Sequence, residues 1–456
     1  VAQPGTAIPP APFPPDPSQL PHAPSQTIHP EVTAGSLPGV NVRPGSDDDG
    51  WVTPPPVTLA DGTTLQLFKD GEALHAAAEA IAAAQHRICL ESYIFAGDPT
   101  GEHFSNLLSE QARQGKIVQL IYDDFGSLAT SRKLFAQMRK AGVRVRVFHP
   151  LRPWECDYSW RPFNRDHRKL LVIDGQRGGL GGLNVGAEYA GSWVVKPSLR
   201  PALGLKSTTP CPEHLDYWRD NAIGVVGPSV SMLQTAFDRT WAYLGRVGGG
   251  GPIRRCMTLL PAPPSDNPRA FPLPEPNHMS LMATVPTMDS PLRPVLHRLF
   301  ASARQSINLT IAYFAPDDDL ITSLCQAAKR GVRVRLMLPG KCDVPLLVVA
   351  ARSFYERLMN AGVEIYERQA VVLHAKTMVI DERITVIGST NLDYRSIEYN
   401  LELSAIVASA ELGRQMAKLF DNDVIYAKRI DPHHWKRRAW ADRLKQFTVS
   451  RARYLL

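Results

Sequence analysis

Two stretches decide the fold: NRDHRKLLVIDGQRGGLGGLN, residues 164–184, and VLHAKTMVIDERITVIGSTN, residues 372–391. Each reads His-x-Lys-x4-Asp, as His167, Lys169 and Asp174 in the first and His374, Lys376 and Asp381 in the second. At one shared offset each continues into a small-residue pair and an asparagine, Gly181-Gly182-x-Asn184 and Gly388-Ser389-x-Asn391. The chain therefore carries one functional half twice.

The residue types fit one chemistry. On a strand, side chains two apart project to the same face, so each His and Lys share a side. The apolar runs that follow, Leu170 to Ile173 and Met378 to Ile380, read as buried continuations of those strands. Two imidazoles brought together from two halves can work on opposite sides of one phosphorus, one as nucleophile and one as the acid that protonates a leaving alcohol. The two lysines with Asn184 and Asn391 are then expected to neutralise the phosphoryl oxygens. This chemistry asks for neither a metal nor a cofactor. Because an in-line displacement needs both imidazoles at one phosphorus, the two motifs are expected to meet at a single cleft.

The duplication extends beyond the motifs. In the first half, helices are expected over Glu72–Gln85 (alanine-rich), Glu102–Gln114 and Ser131–Lys140, alternating with strands RICLESYIF (87–95), KIVQLIYDD (116–124) and VRVRVF (143–148). The second half repeats this, with helices over Pro291–Arg304, Leu320–Lys329 and Ala351–Asn360 and strands SINLTIAYF (306–314), GVRVRLMLP (331–339) and GVEIYE (362–367). The alternation predicts an α/β fold whose two halves are related by a pseudo-twofold, each an α/β sandwich with a parallel sheet. Five segments follow: a proline-rich arm at 1–56, a first half at 57–246, a Gly/Pro-rich linker at 247–276, a second half at 277–430 and a basic amphipathic tail at 431–456. An irregular insertion at Ser192–Pro212 reads as a surface loop or as a loop shaping the substrate entrance.

Composition bounds the partners and the compartment. The formal charge is +7 and the pI about 9.1, which suits an anionic partner, a phospholipid surface or a nucleic acid. The six cysteines, Cys89, Cys156, Cys211, Cys256, Cys325 and Cys342, show no CxxC pairing, so free thiols in a reducing compartment are expected. No stretch reaches the roughly 18 apolar residues of a membrane span; Val344–Ala351 is short and contains a proline. Ten prolines fall within residues 1–30, the composition of a disordered or polyproline arm rather than a signal peptide. The chain opens on Val rather than Met, which leaves room for a segment ahead of it.

These motifs resemble the phospholipase D superfamily, whose signature is the duplicated His-Lys-Asp motif. Glu91-Ser-Tyr93-Ile-Phe95, Asp123-Asp124-x-Gly126-Ser127, Asn164-Arg165-x-His167-x-Lys169 and GSTNLDYRSIEYNLE (388–402) are similar to bacterial cardiolipin synthases, and the proline-rich start resembles those lacking transmembrane helices. The resemblance implies phosphatidyl transfer on phosphatidylglycerol through a phosphohistidine on His167, with His374 as acid and then base. It leaves two alternatives: a phospholipase D releasing phosphatidic acid, and a metal-independent nuclease or phosphodiesterase. The second-motif wording favours lipid over nucleic acid. The expected partner is anionic phospholipid, with no obligatory protein partner, and the expected location is cytoplasmic and peripheral at the inner membrane. A carboxylate on the far nitrogen of each imidazole is expected to fix its tautomer, Asp220 for His167 and Glu402 for His374. Asp174 and Asp381, although part of the signature, are expected to hold the motif turns. The tail from Trp435, with seven basic residues interleaved with aromatic and aliphatic ones, reads equally as a membrane anchor or as a docked helix with a solvated basic face.

Overall fold

The computed structural model describes residues 51–155, 163–190, 217–246, 271–286 and 290–451. The insertion at 192–212, most of the linker and Cys156, Cys211 and Cys256 lie outside them.

The first half runs β1 (Val57–Thr58), β2 (Thr64–Lys69), α1 (Glu72–Ala82), β3 (Arg87–Ser92), α2 (Pro99–Arg113), β4 (Ile117–Asp123), α3 (Arg132–Lys140), β5 (Arg144–Phe148), β6 (Leu170–Ile173), β7 (Arg177–Gly181), α4 (Ala187–Ala190), β8 (Trp218–Arg219), β9 (Asn221–Val226) and α5 (Val230–Arg246). The second runs β10 (Met279–Thr284), α6 (Leu292–Ser302), β11 (Ser306–Ile311), α7 (Asp318–Lys329), β12 (Arg333–Lys341), α8 (Pro345–Asn360), β13 (Glu364–Leu373), β14 (Lys376–Ile380), β15 (Ile384–Gly388), α9 (Tyr394–Glu398), β16 (Glu402–Ala408), α10 (Ala410–Ile425) and β17 (Ala427–Arg429). Two short helices close the described chain, α11 (Pro432–Lys436) and α12 (Trp440–Arg451).

Each half builds one sheet, in the order β1-β2-β9-β7-β6-β3-β4-β5 and β10-β16-β15-β14-β11-β12-β13-β17. The expected parallel sheets are in fact mixed. Within each half only β3-β4-β5 and β11-β12-β13 run parallel, because these are the strands joined by helical crossovers. The strands that follow each His-Lys pair, β6-β7 and β14-β15, are antiparallel hairpins added to one side of β3 and β11.

The two sheets face each other. Leu180, Ile223, Val225 and Phe237 of the first half share one apolar cluster with Val379, Ile387, Leu403 and Ala405 of the second. Separate outer clusters pack α1–α3 and α6–α8 on the opposite faces. Each half thus finishes its core against its twin.

Asp174 and Asp381 act as the motif turns require. Both sit at positive φ, 54° and 53°, a conformation Asp tolerates better than most residues. Asp174 accepts from the backbone N–H groups of Gln85, His86 and Arg87 at 2.7–2.8 Å. Asp381 does the same for Arg304, Gln305 and Ser306. Each carboxylate pins the turn leading into the central strand, at the end of the sheet away from the His-Lys pair.

Candidate active site

The site lies where β6 and β14 begin. His167 and Lys169 lead into β6, and His374 and Lys376 into β14, so each pair stands at the same edge of its sheet. Backbone ladders between the halves then bring the two edges together. The His167 N–H donates to Leu401 O at 2.9 Å, and the Leu401 N–H donates to Arg165 O at 2.8 Å. On the other side β8 pairs in parallel with the end of β13, and the His374 N–H donates to Arg219 O at 2.8 Å. All four motif side chains are buried.

These ladders decide which carboxylate serves which histidine, and they cross the halves. Leu401, beside His167, precedes Glu402; Arg219, beside His374, precedes Asp220. His167 Nδ1 accordingly donates to Glu402 at 3.1 Å, and His374 Nδ1 donates to Asp220 Oδ2 at 2.7 Å. The pairing expected from the sequence, Asp220 with His167 and Glu402 with His374, is therefore wrong. It assumed that a motif and its carboxylate stay within one half, whereas the sheet edges exchange them.

The small-residue pairs have a role here. A Cβ at Gly182 would overlap the Asp220 carboxylate, so glycine makes room for it. The matching residue of the second half, Ser389, instead donates its hydroxyl to Glu402 Oε2 at 2.5 Å. The Asn221 N–H donates to Asp220 Oδ1 at 2.8 Å. With Nδ1 of each imidazole held as a donor, the Nε2 atoms carry the lone pairs.

Electrostatics follow from burial. Both imidazoles are pushed down to about 4, first because burial penalises their charged form; neighbouring ammonium groups add to this and the carboxylates oppose it. Burial likewise lowers Lys169 to about 7 and Lys376 to about 8. Burial by itself would raise Asp220 and Glu402, but the facing His and Lys outweigh it and hold both below the usual carboxylate range. Lys376 depresses Lys169, and each lysine feels both carboxylates, so the two motifs share one electrostatic site. Both carboxylates are engaged by the imidazoles, so the two buried lysines are the groups that would meet an anionic substrate.

Asn184 and Asn391 are buried beside the site, but their amide oxygens are committed to backbone, accepting from Ile94 N–H at 3.0 Å and Tyr313 N–H at 3.3 Å. Asn184 also donates to the Tyr189 hydroxyl at 2.8 Å. Both therefore fasten the loops after β3 and β11 as part of their work. Sequence reasoning gave no role to the aromatic walls. The Tyr93 ring stands edge-on to His167 at 5.0 Å, and Tyr189, Trp218 and Tyr313 surround His374 at 5.1–6.2 Å. Single aromatics in unrelated segments carry no spacing signal that could have marked them. Among the described residues no group of three or more His, Cys, Asp or Glu side chains is placed to share a metal ion.

Comparison with known proteins agrees with this arrangement. The family model described as cardiolipin synthase, phospholipase D-like domain, matches residues 78–191 and 296–424, one segment in each half. A probable cardiolipin synthase of Bacillus subtilis is 30% identical over 386 residues, covering 84% of this chain and 70% of that protein. A cardiolipin synthase of a Geobacillus strain is 32% identical over 400 residues, covering 87% and 72%. Among solved structures, phosphatidylserine synthase of Haemophilus influenzae superposes with a TM-score of 0.62 at 14% identity, covering 88% of this chain and 97% of that one, a likeness of fold. With one matched segment in each half and two crossed His-carboxylate pairs at their junction, the chain belongs to the phospholipase D-like cardiolipin synthase family.

Proposed function

We infer that this protein is a cardiolipin synthase-like phosphatidyltransferase acting on phosphatidylglycerol at a membrane surface. The observation that carries the reading is the pair of buried imidazoles, each with Nδ1 held by a carboxylate of the other half and a lysine two residues on. The chemistry is ping-pong. His167 Nε2 attacks phosphorus, the bond to glycerol breaks, and His374 gives its Nε2 proton to the departing glycerol oxygen. An incoming hydroxyl then loses its proton to His374 and attacks the same phosphorus, and the P–N bond breaks with its electron pair returning to His167. The lysines neutralise the phosphoryl oxygens throughout. The substrate's own negative charge, set between two ammonium groups, reverses part of what depresses the imidazoles and lets His374 carry its proton.

Phosphatidylglycerol vesicles incubated with the protein in chelator, followed by thin-layer chromatography, test the reading. Cardiolipin and free glycerol are expected. Phosphatidic acid without cardiolipin assigns water as the acceptor, and an unchanged lipid overturns the assignment. Acid-quenched protein after labelled substrate should carry phosphorus on His167; label on His374 reverses the two roles.

A further inference from the structure

The two halves differ at one place where their symmetry leads one to expect the same packing. In the second half Leu292, Val295, Leu296 and Leu299 of α6 are buried in one core with Val386 of β15 and Ile406 of β16. Counted from the start of each central strand, the matching α1 residues are Ala73, Ala76, Ala77 and Ala80. Counted from the motif and from its following carboxylate, the residues facing them are Gly179 and Gly224. At these matched positions small residues thus stand on both walls at once, with Leu74 and Phe68 beside them. The result is a cavity of about 320 Å³ between α1 and the sheet, within the size range of small-ligand sites, about 300–1,000 Å³.

The cavity runs along the strands. At one end it is lined by Ser92, Lys169 and Gly181, and at the other by Ile173, Arg177 and Val226. The ladder pairs Gly181 with Ala222 and Arg177 with Val226, so the ends lie four residues apart, about 13 Å at strand rise. The near end is the catalytic lysine. The far end reaches solvent, where Arg177 and Val226 are exposed. The remaining wall is mostly aliphatic, aromatic or glycine, with Thr64, Gln66 and Glu91 as its polar members.

We propose that this cavity holds one acyl chain of the phospholipid whose phosphate is held by Lys169 and Lys376. Its position continuous with the phosphate site, its apolar walls and its elongated shape select a hydrocarbon chain attached to a phosphate ester. Because buried Leu292, Val295, Leu296 and Leu299 occupy the matching positions in the second half, the donor lipid is bound asymmetrically, with its chain in the first half. The proposal rests on the lipid reading above, and its test separates the two.

Ala77→Leu combined with Ala80→Leu restores the second half's residues, Leu296 and Leu299, and fills the cavity without touching the motifs. Three measurements are made on the full chain and on this variant: binding of the fluorescent fatty acid cis-parinaric acid, turnover of dihexanoyl and didecanoyl phosphatidylglycerol in mixed micelles, and turnover of bis(4-nitrophenyl) phosphate, a diester without acyl chains. The unmodified protein should bind the probe and prefer the longer lipid. The variant should lose probe binding and fall at least about tenfold in kcat/KM on didecanoyl lipid, while keeping its activity on the acyl-free diester. Probe binding and long-chain preference unchanged in the variant overturn the cavity and leave the lipid activity standing. Probe binding lost in the variant, with no turnover of either lipid by the unmodified protein, overturns the lipid activity and keeps the cavity. If Ala77→Leu/Ala80→Leu does not fold, Gly224→Ile, whose Cβ would stand 3.0 Å from the edge of the Phe68 ring and 3.8 Å from Gln66 Cβ, replaces it. Absence of probe binding and of chain-length preference in the unmodified protein overturns the proposal directly.

Discussion

His167 is neutral when it attacks, and its burial-depressed pKa of about 4 means that it is already deprotonated at neutral pH. Protonation of His167 should therefore suppress kcat/KM only as pH falls through about 4, rather than near the ordinary imidazole value of about 6.5, while the same depressed value in His374, which must be protonated to act as the acid, starts the decline on the basic side. The lysines work charged. As pH rises past about 7 and then about 8, Lys169 and Lys376 lose their protons and kcat/KM should fall. An acid limb near 6.5, or a rate still flat at about pH 9, contradicts this account. The crossed carboxylates make a sharper prediction. Glu402→Gln should behave as a His167 defect and slow formation of the phosphoenzyme with any leaving group, whereas Asp220→Asn should behave as a His374 defect, slowing breakdown and also slowing formation where the leaving group is glycerol, which needs the proton. Each loss is expected at about 10²–10⁴-fold. Rapid-quench measurement of both steps checks it, and the opposite pattern would restore pairing within each half or exchange the roles of the histidines.

At the scale of elements, the turns and the tail carry testable work. Asp174→Ala removes an acceptor shared by three backbone N–H groups and places alanine at positive φ, so a loss of about 2 kcal/mol is expected. Asp174→Asn, which keeps an acceptor and tolerates the conformation, should cost less. Urea denaturation measures both, with KM unchanged because Asp174 is far from the phosphate. The tail is docked: Trp435 stacks near Tyr355 at 5.0 Å, Arg438 pairs with Glu356 at 3.2 Å, and Val449 packs by Leu347 and Ala350. Its outer face nevertheless leaves Trp440 and Leu444 exposed among Lys436, Arg437, Arg443 and Lys445. Trp440→Ser with Leu444→Ser should weaken co-sedimentation with phosphatidylglycerol vesicles severalfold while thermal stability is kept; equal sedimentation would leave α12 a purely packing element. The sequence placed α1, α2, α3, α6 and α7 to within a few residues, because capping and periodicity are local, and it named neither α5 nor α10. It starts α8 six residues late, at Ala351 instead of Pro345; the proline occupies the first turn, where its missing N–H has no helical partner to lose.

At the scale of the molecule, the apolar cluster that joins both sheets makes the halves interdependent. Urea unfolding followed by tryptophan emission and by far-ultraviolet circular dichroism should give one coincident transition; two separated transitions would show that each half stands alone. No helix among the described residues is long and apolar enough to cross a membrane. The sequence by itself determined the duplication, the α/β class, the two His-Lys pairs, the structural part played by Asp174 and Asp381, and the buried free thiols Cys89 and Cys325. All of these are written in spacing, periodicity or residue type within one segment. Only the tertiary structure decided that Glu402 serves His167 and Asp220 serves His374, that Tyr93, Tyr189, Trp218 and Tyr313 wall the site, and that an alanine-rich helix over glycine-bearing strands leaves a cavity. Each of those depends on which segments from different halves come to lie side by side, and that choice is made by the ladders and the shared core rather than by any one stretch of chain.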